Sequence, residues 1–281
     1  MIALLRTELT KAARRTRTLV IVLLLVGLPT LIVVAINAHG NRPERDGGEG
    51  LFRLAQQSGL LVPVAVLSVM SGFLLIVIAG TFAGDSVSGD AAWGNLRYLL
   101  MRPVPRGRLL VAKAIVAGLL IWAATILVAL AGLIAGVIIF GAHPVTVPGV
   151  VELGKTVSLS SFRLDTGTLL VRSAISTAYV AFGFTALLAL GTFFSTLTDT
   201  ATSAIGATVG VYIVSEILDA ITQLGRIRYG FPTHYLDAWQ SMFIENRFSH
   251  DMIAGVGVQL AYLAVFGGAA ILWFRRKDIR S

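Results

Sequence analysis

Residues 149–156 read GVVELGKT and fit G-x-x-x-x-G-K-[ST] letter for letter. That pattern holds nucleotide when a buried strand precedes the loop and a helix follows it, so that backbone N–H groups cradle phosphates. The neighbours here supply neither. GAHPVTVP, with two prolines, comes before, and the Ser-rich, β-branched VSLSSFRLD comes after. The connection of about 27 residues has no room for an α/β domain, so Lys155 is read as binding no nucleotide. A second group with chemical potential is Glu216, Asp219 and Gln223, spaced i, i+3 and i+7 on one face near the outer end of an apolar segment. Ionisable groups at membrane depth usually face the bundle interior or an aqueous path. Two readings stand: contact with a cationic or polar substrate leaving outward, or interfacial groups paired with Arg172 or Arg226. There is no H-E-x-x-H and no mid-span aspartate pair, and the four histidines fall at unrelated spacings. No catalytic site or metal is expected.

The elements that must position these residues are apolar. Of 281 residues, 56% are hydrophobic and 14% charged, with mean hydropathy +0.81. Soluble domains carry roughly a quarter charged residues, so lipid is the expected solvent. Six segments are long enough to cross: 19–36, 60–83, 109–140, 169–194, 200–222 and 252–274. The third exceeds the hydrocarbon thickness and should tilt or protrude. Pro29 and Pro63 lie inside spans, where neighbours must satisfy the freed carbonyls. The first run is longer than a signal-peptide core and no A-x-A site follows, so it is read as a retained anchor. The expectation is an all-α polytopic protein, residues 1–281 forming one transmembrane domain.

Charge orients it. Both termini and the connections after the second and fourth spans hold fourteen of the 23 Lys and Arg with five acids; the opposite side holds nine with ten acids. The positive-inside rule places both termini in the cytoplasm, and it accounts for the net charge of +8 without nucleic acid. Residues 2–17 put Ile2, Leu5, Leu9 and Ala12 on one face, which predicts an amphipathic helix on the inner membrane surface; a solvated basic tail is the plainer alternative. The absence of Cys excludes disulfides and thiolate ligands.

The cytoplasmic stretch 84–108 is DSVSGDAAWGNLRYLLMRPVPRGR after an opening Gly84. Gly84 to Gly89 reads as a flexible approach. Asp85 or Ser88 would cap a short helix with an apolar face at Ala92, Leu96 and Leu99 or Leu100, ended by Pro103 and Pro105. Such a helix suits docking into another protein's groove, the alternative being a membrane-surface helix anchored by Trp93 and Tyr98. The stretch resembles the first cytoplasmic loop of type-2 permeases of the ATP-binding-cassette (ABC) superfamily. The match is carried by Gly89, Asp90, Gly94, Asn95, Leu96, Leu99, Leu100, Pro103, Val104, Arg106 and Lys113, with Asp90 where that pattern usually has Glu. The N-terminal helix, the six spans and FPTHYLDAW (231–239) before the last one extend the likeness along the chain.

The resemblance implies a membrane-spanning subunit of an ABC exporter in the plasma (cell inner) membrane. It would pair with a second permease copy or relative and with two cytoplasmic ATPase subunits. Asp85, Gly89, Asp90, Trp93, Leu96, Leu99, Arg102 and Arg106 would form the coupling helix seated in an ATPase groove, and residues 2–17 the connecting helix. ATP and Mg would be bound by the partners and no cofactor by this chain. Replacing Asp90 or Arg106 would then uncouple ATP hydrolysis without loss of expression. A stand-alone secondary transporter or channel is the rival reading, against which no inverted repeat or midplane charge is found.

Small-x-x-x-small pairs occur at Gly132/Gly136 and at Gly206/Gly210. The second is the better candidate for a permease–permease seam, partly because the resemblance places that helix near the central axis. Phe182, Phe184, Phe193 and Phe194 either line a lipophilic path or face lipid. The outer segment 223–250, mixing aromatics and charges, is expected to form short interfacial or re-entrant helices over the exit.

Overall fold

Long aliphatic runs can satisfy their backbone polar groups in lipid only by coiling on themselves. Six helices among the described residues are long and apolar enough to cross a membrane. The structure is a computed structural model and describes residues 2–38, 55–92, 105–153, 156–244 and 249–276. Helix α1 (Ile2–Ala13) runs into α2 (Thr16–Ala38), which keeps Pro29 in its interior. A 3₁₀ turn, Gly59–Leu61, leads to α3 (Val62–Gly72) and then α4 (Leu74–Ala92). Helix α5 (Arg106–Phe140) has 35 residues and is therefore about 52 Å long, well beyond a hydrocarbon core of ~30 Å.

The second span differs from the expected 60–83. It is broken at Phe73 (φ −140°, ψ −59°), and its second half continues nine residues beyond Ala83, to Ala92. Pro63 lies in the first turn of α3, where its missing N–H costs no helical bond and no kink is needed. Gly84 to Gly89 is not a flexible approach. A Cβ on Gly84 would lie 2.8 Å from the backbone N of Ile205, so this glycine permits close helix packing.

Beyond α5, β1 (Val145–Leu153) and β2 (Thr156–Leu164) pair antiparallel, from Val145 opposite Leu164 to Leu153 opposite Thr156. Two helices then share the fourth span, α6 (Thr166–Gly183) and α7 (Thr185–Leu197), followed by α8 (Ala201–Asp219). The outer segment forms 3₁₀ turns at Thr222–Gly230 and Ala238–Gln240 and a short helix α9 (Ser241–Ile244). The last span joins α10 (His250–Tyr262) to α11 (Gly268–Arg276) through a π segment, Leu263–Gly267.

Helix α4 is the most enclosed span, packed by α5, α7 and α8. The outward faces of α2, α8 and α10 stay apolar, with Leu23, Ile217 and Ile253 more than half exposed. A lipid-facing surface requires this, since nothing polar there would find a partner.

The break in the fourth span, at Phe184 (φ −87°, ψ 6°), frees backbone groups that lipid cannot satisfy. Neighbouring spans supply the partners. Tyr212 OH donates to the Gly183 carbonyl at 3.2 Å, and the Ala186 N–H donates to Gln259 Oε1 at 2.8 Å.

Candidate functional site

Charged side chains gather where α1, α2, α4 and α5 meet. Asp85 and Asp90 point from the last turns of α4 and are 8% and 2% exposed. Lys113, eight residues into α5, is 4% exposed. Its Nζ pairs with Asp90 Oδ2 and lies 3.0 Å from Glu8 Oε2 of α1. Lys11 also reaches Asp90, while Arg15 and Arg17 both pair with Asp85. Arg15 Nη2 is 4.0 Å from Asp90 Oδ1 as well. Charges so buried persist only when paired and hydrogen-bonded. That requirement is the reason α4 can carry two aspartates through turns that composition alone assigns to a loop.

Serine hydroxyls complete the joint. Ser195 Oγ on α7 accepts from the N–H groups of Val87 and Ser88 at 2.9 Å each, and Ser88 Oγ donates to the Gly84 carbonyl at 2.7 Å. A Cβ on Gly89 would overlap the Asp85 carboxylate, so this position must be bare for the ion pairs to form. Asp85, Gly89 and Asp90 are therefore internal residues of α4, and the two aspartates tie it to α1, α2 and α5; neither Asp85 nor Ser88 caps a new helix. Trp93, Leu96, Leu99 and Arg102 lie outside the described residues. Arg106 opens α5 beside Arg108.

At the opposite end, the structure does not keep Glu216, Asp219 and Gln223 on one helix. Helix α8 stops at Asp219, and Gln223 is exposed in the following 3₁₀ turn. Asp219 Oδ1 binds His234 Nδ1 at 2.6 Å and Arg228 Nε at 3.4 Å, so it anchors the outer segment through Arg228 rather than through Arg172 or Arg226. Arg172 Nη1 instead donates to the Met242 carbonyl. Glu216 is half-buried, with Oε1 4.0 Å from where a Cβ on Gly72 would sit.

The outer segment is pinned down by its backbone. Tyr179 OH donates to the Tyr235 carbonyl at 2.8 Å, Tyr262 OH to that of Gly230 at 3.2 Å, and Ser215 meets Thr233 at 3.0 Å. Trp239 and Phe243 are fully buried and meet edge to face at 6.3 Å. Gln259 is the residue sequence reasoning missed. Its Nε2 donates to the Pro232 carbonyl at 2.8 Å while its Oε1 accepts from Ala186, so one amide joins the outer segment to the broken span. The available signal was a lone amide inside an apolar run. Gln259→Leu strands both backbone groups and is expected to destabilise by about 1–3 kcal/mol. Thermal melting should drop and amide exchange at 230–236 should quicken; unchanged exchange there would remove Gln259 from this role.

Two other sequence features separate cleanly. Gly132 and Gly136 pack inside the chain, against Pro63 and Val66 and against Val62 and the Gly59 carbonyl, whereas Gly206 and Gly210 have open space where a Cβ would be. Of the four phenylalanines, Phe184 is fully buried and Phe182, Phe193 and Phe194 half-buried. The GVVELGKT stretch lies on a β-hairpin: β1 covers its first five residues and Thr156 begins β2, with a strand where phosphate binding needs a helix.

None of the curated proteins compared with the chain matches it. A family model described as ABC-2 family transporter protein matches residues 2–279.

Proposed function

The chain belongs to the ABC-2 transporter family, a multi-pass membrane permease rather than an ATPase, and from that premise we propose that it is the translocating subunit of an ATP-driven exporter. Two cytoplasmic ATPase subunits bind ATP and Mg, and a second permease, identical or related, completes the path. Both termini face the cytoplasm of the cell's inner membrane, as the charge bias favours.

The observation that carries the reading is the buried ion network at the end of α4. It fastens the N-terminal helix, the start of α2 and the start of α5 to the element leading into residues 93–104, so a push on that segment moves four helices as a unit. ATP-driven closure of the ATPase dimer supplies the push and favours the outward-open arrangement. In this scheme Asp85, Gly89 and Asp90 hold the lever while Trp93, Leu96, Leu99, Arg102 and Arg106 meet the ATPase. The open glycines of α8 face the second permease. Glu216 lies on the substrate's way out; Asp219 and Gln223 border it.

The test is a detergent pull-down with cellular partners followed by ATPase assay of the eluate. Recovery of a stoichiometric ATPase is expected, and its loss when residues 93–104 become a neutral linker, an exchange that leaves the ion network in place. A clean chain that still transports in vesicles would refute the reading.

A further inference from the structure

Three arginines from two helices share a second cleft at the same end of the bundle. Arg106 and Arg108 at the start of α5 and Arg275 at the end of α11 line a space of about 580 Å³ with Pro105, Gly107, Val111 and Ile271. Arg275 lies across the first turn of α5, its Nε 4.0 Å from where a Cβ on Gly107 would be. No acidic side chain among the described residues lines this space. The neighbouring charge cluster is lined by both signs, with Glu8, Asp85 and Asp90 beside Lys11, Arg15, Arg17 and Lys113 in a cleft of about 50 Å³.

We propose that this cleft binds the headgroup of an anionic phospholipid from the adjoining leaflet. The vertical order of its lining fits such a molecule. The arginines stand at the ends of two membrane-crossing helices, where phosphate groups lie. Val111 is five residues deeper along α5 and Ile271 four residues deeper along α11, about 6–8 Å toward the hydrocarbon. Arg108 and Arg275 thus meet the phosphate and the apolar pair meets the first acyl carbons. Trp273 and Leu272, both more than half exposed, flank the site on the lipid side, and Trp is the side chain preferred at headgroup depth. Clustered Arg beside a span attracts anionic lipid by charge, and the guanidinium fork matches phosphate oxygens.

The test uses the full chain in nanodiscs of mixed phosphatidylcholine and phosphatidylglycerol, with lipid retained after detergent extraction read by native mass spectrometry. It needs no ATPase partner, so it fails or succeeds separately from the exporter reading. Wild type is expected to retain phosphatidylglycerol selectively. Arg108→Gln and Arg275→Gln are each expected to lower that retention roughly fivefold, and more together, with phosphatidylcholine unchanged. Arg108→Lys/Arg275→Lys should keep most of it, which excludes misfolding as the cause. Equal loss of both lipids, no loss in the Gln variants, or displacement of the lipid by inorganic phosphate would each overturn the proposal. So would Gln variants that keep their lipid but lose a co-purifying ATPase, since the arginines would then belong to the protein interface.

Discussion

Asp90→Ala is expected to destabilise the folded permease by about 3–5 kcal/mol, the cost of breaking a buried ion pair from one side. The variant leaves Lys113, 4% exposed, with Glu8 as its remaining carboxylate, and it leaves four cations facing two acids. Lys11, 36% exposed at its side chain, can turn to water; Lys113 cannot. Asp85→Ala should cost less, because Arg15 and Arg17 are 28% and 35% exposed and can rehydrate. Removing both members of the inner pair, as Asp90→Leu/Lys113→Met, should recover most of the loss, since well-packed apolar replacements of a buried pair are often neutral. Melting of the purified chain in detergent decides it. A double variant no better than Asp90→Ala would mean that packing around α4, and not charge pairing, holds this end together. Asp90→Ala is therefore expected to lose folded protein before uncoupling can be measured, which leaves Arg106 as the better probe of the proposed coupling.

The crossing helices were legible because lipid imposes one demand on sequence, a long apolar run. The end of α4 was legible as a charged place but misread as a loop. Asp85 and Asp90 look like loop residues until their partners are known, and Arg15 and Arg17 are seventy and sixty-eight positions away in sequence. Gly84 has the same ambiguity: flexibility and close approach use the same residue, and only Ile205 opposite decides between them. The break at Phe184 was hidden because it depends on Tyr212 and Gln259, groups on other spans that take up its freed backbone bonds. The hairpin at 145–164 was hidden by two prolines that argue against a strand, although a two-stranded ribbon leaves each strand an edge where Pro is tolerated.

Gly59→Ala should be close to a complete loss of folded protein, the most severe effect of a single added methyl group at any described glycine. The added Cβ would sit on the Gly136 carbonyl, with Val137 N at 2.5 Å. These are backbone atoms of α5, so no rotamer change can relieve the overlap; the 3₁₀ turn must lift off. Lifting it breaks the bond from Gly59 N–H to the Gly141 carbonyl, 2.9 Å, and disturbs Ser58, whose Oγ accepts from both Leu60 N and His143 N. Ser173 Oγ also donates to the Leu60 carbonyl from α6, so three spans lose a common anchor. Overpacking a rigid site costs about 1–3 kcal/mol, and the lost backbone bonds add to it. Gly206→Leu and Gly210→Leu form the contrast, because neither position has an atom within 4 Å of the new Cβ. Those variants should melt no lower than wild type, helped slightly by better helix propensity, while self-association in detergent falls if α8 is the seam. Size-exclusion profiles of all three variants separate the cases. A folded Gly59→Ala chain would place the turn farther from α5 than the packing here allows, and Gly206→Leu with unchanged assembly would move the seam away from α8.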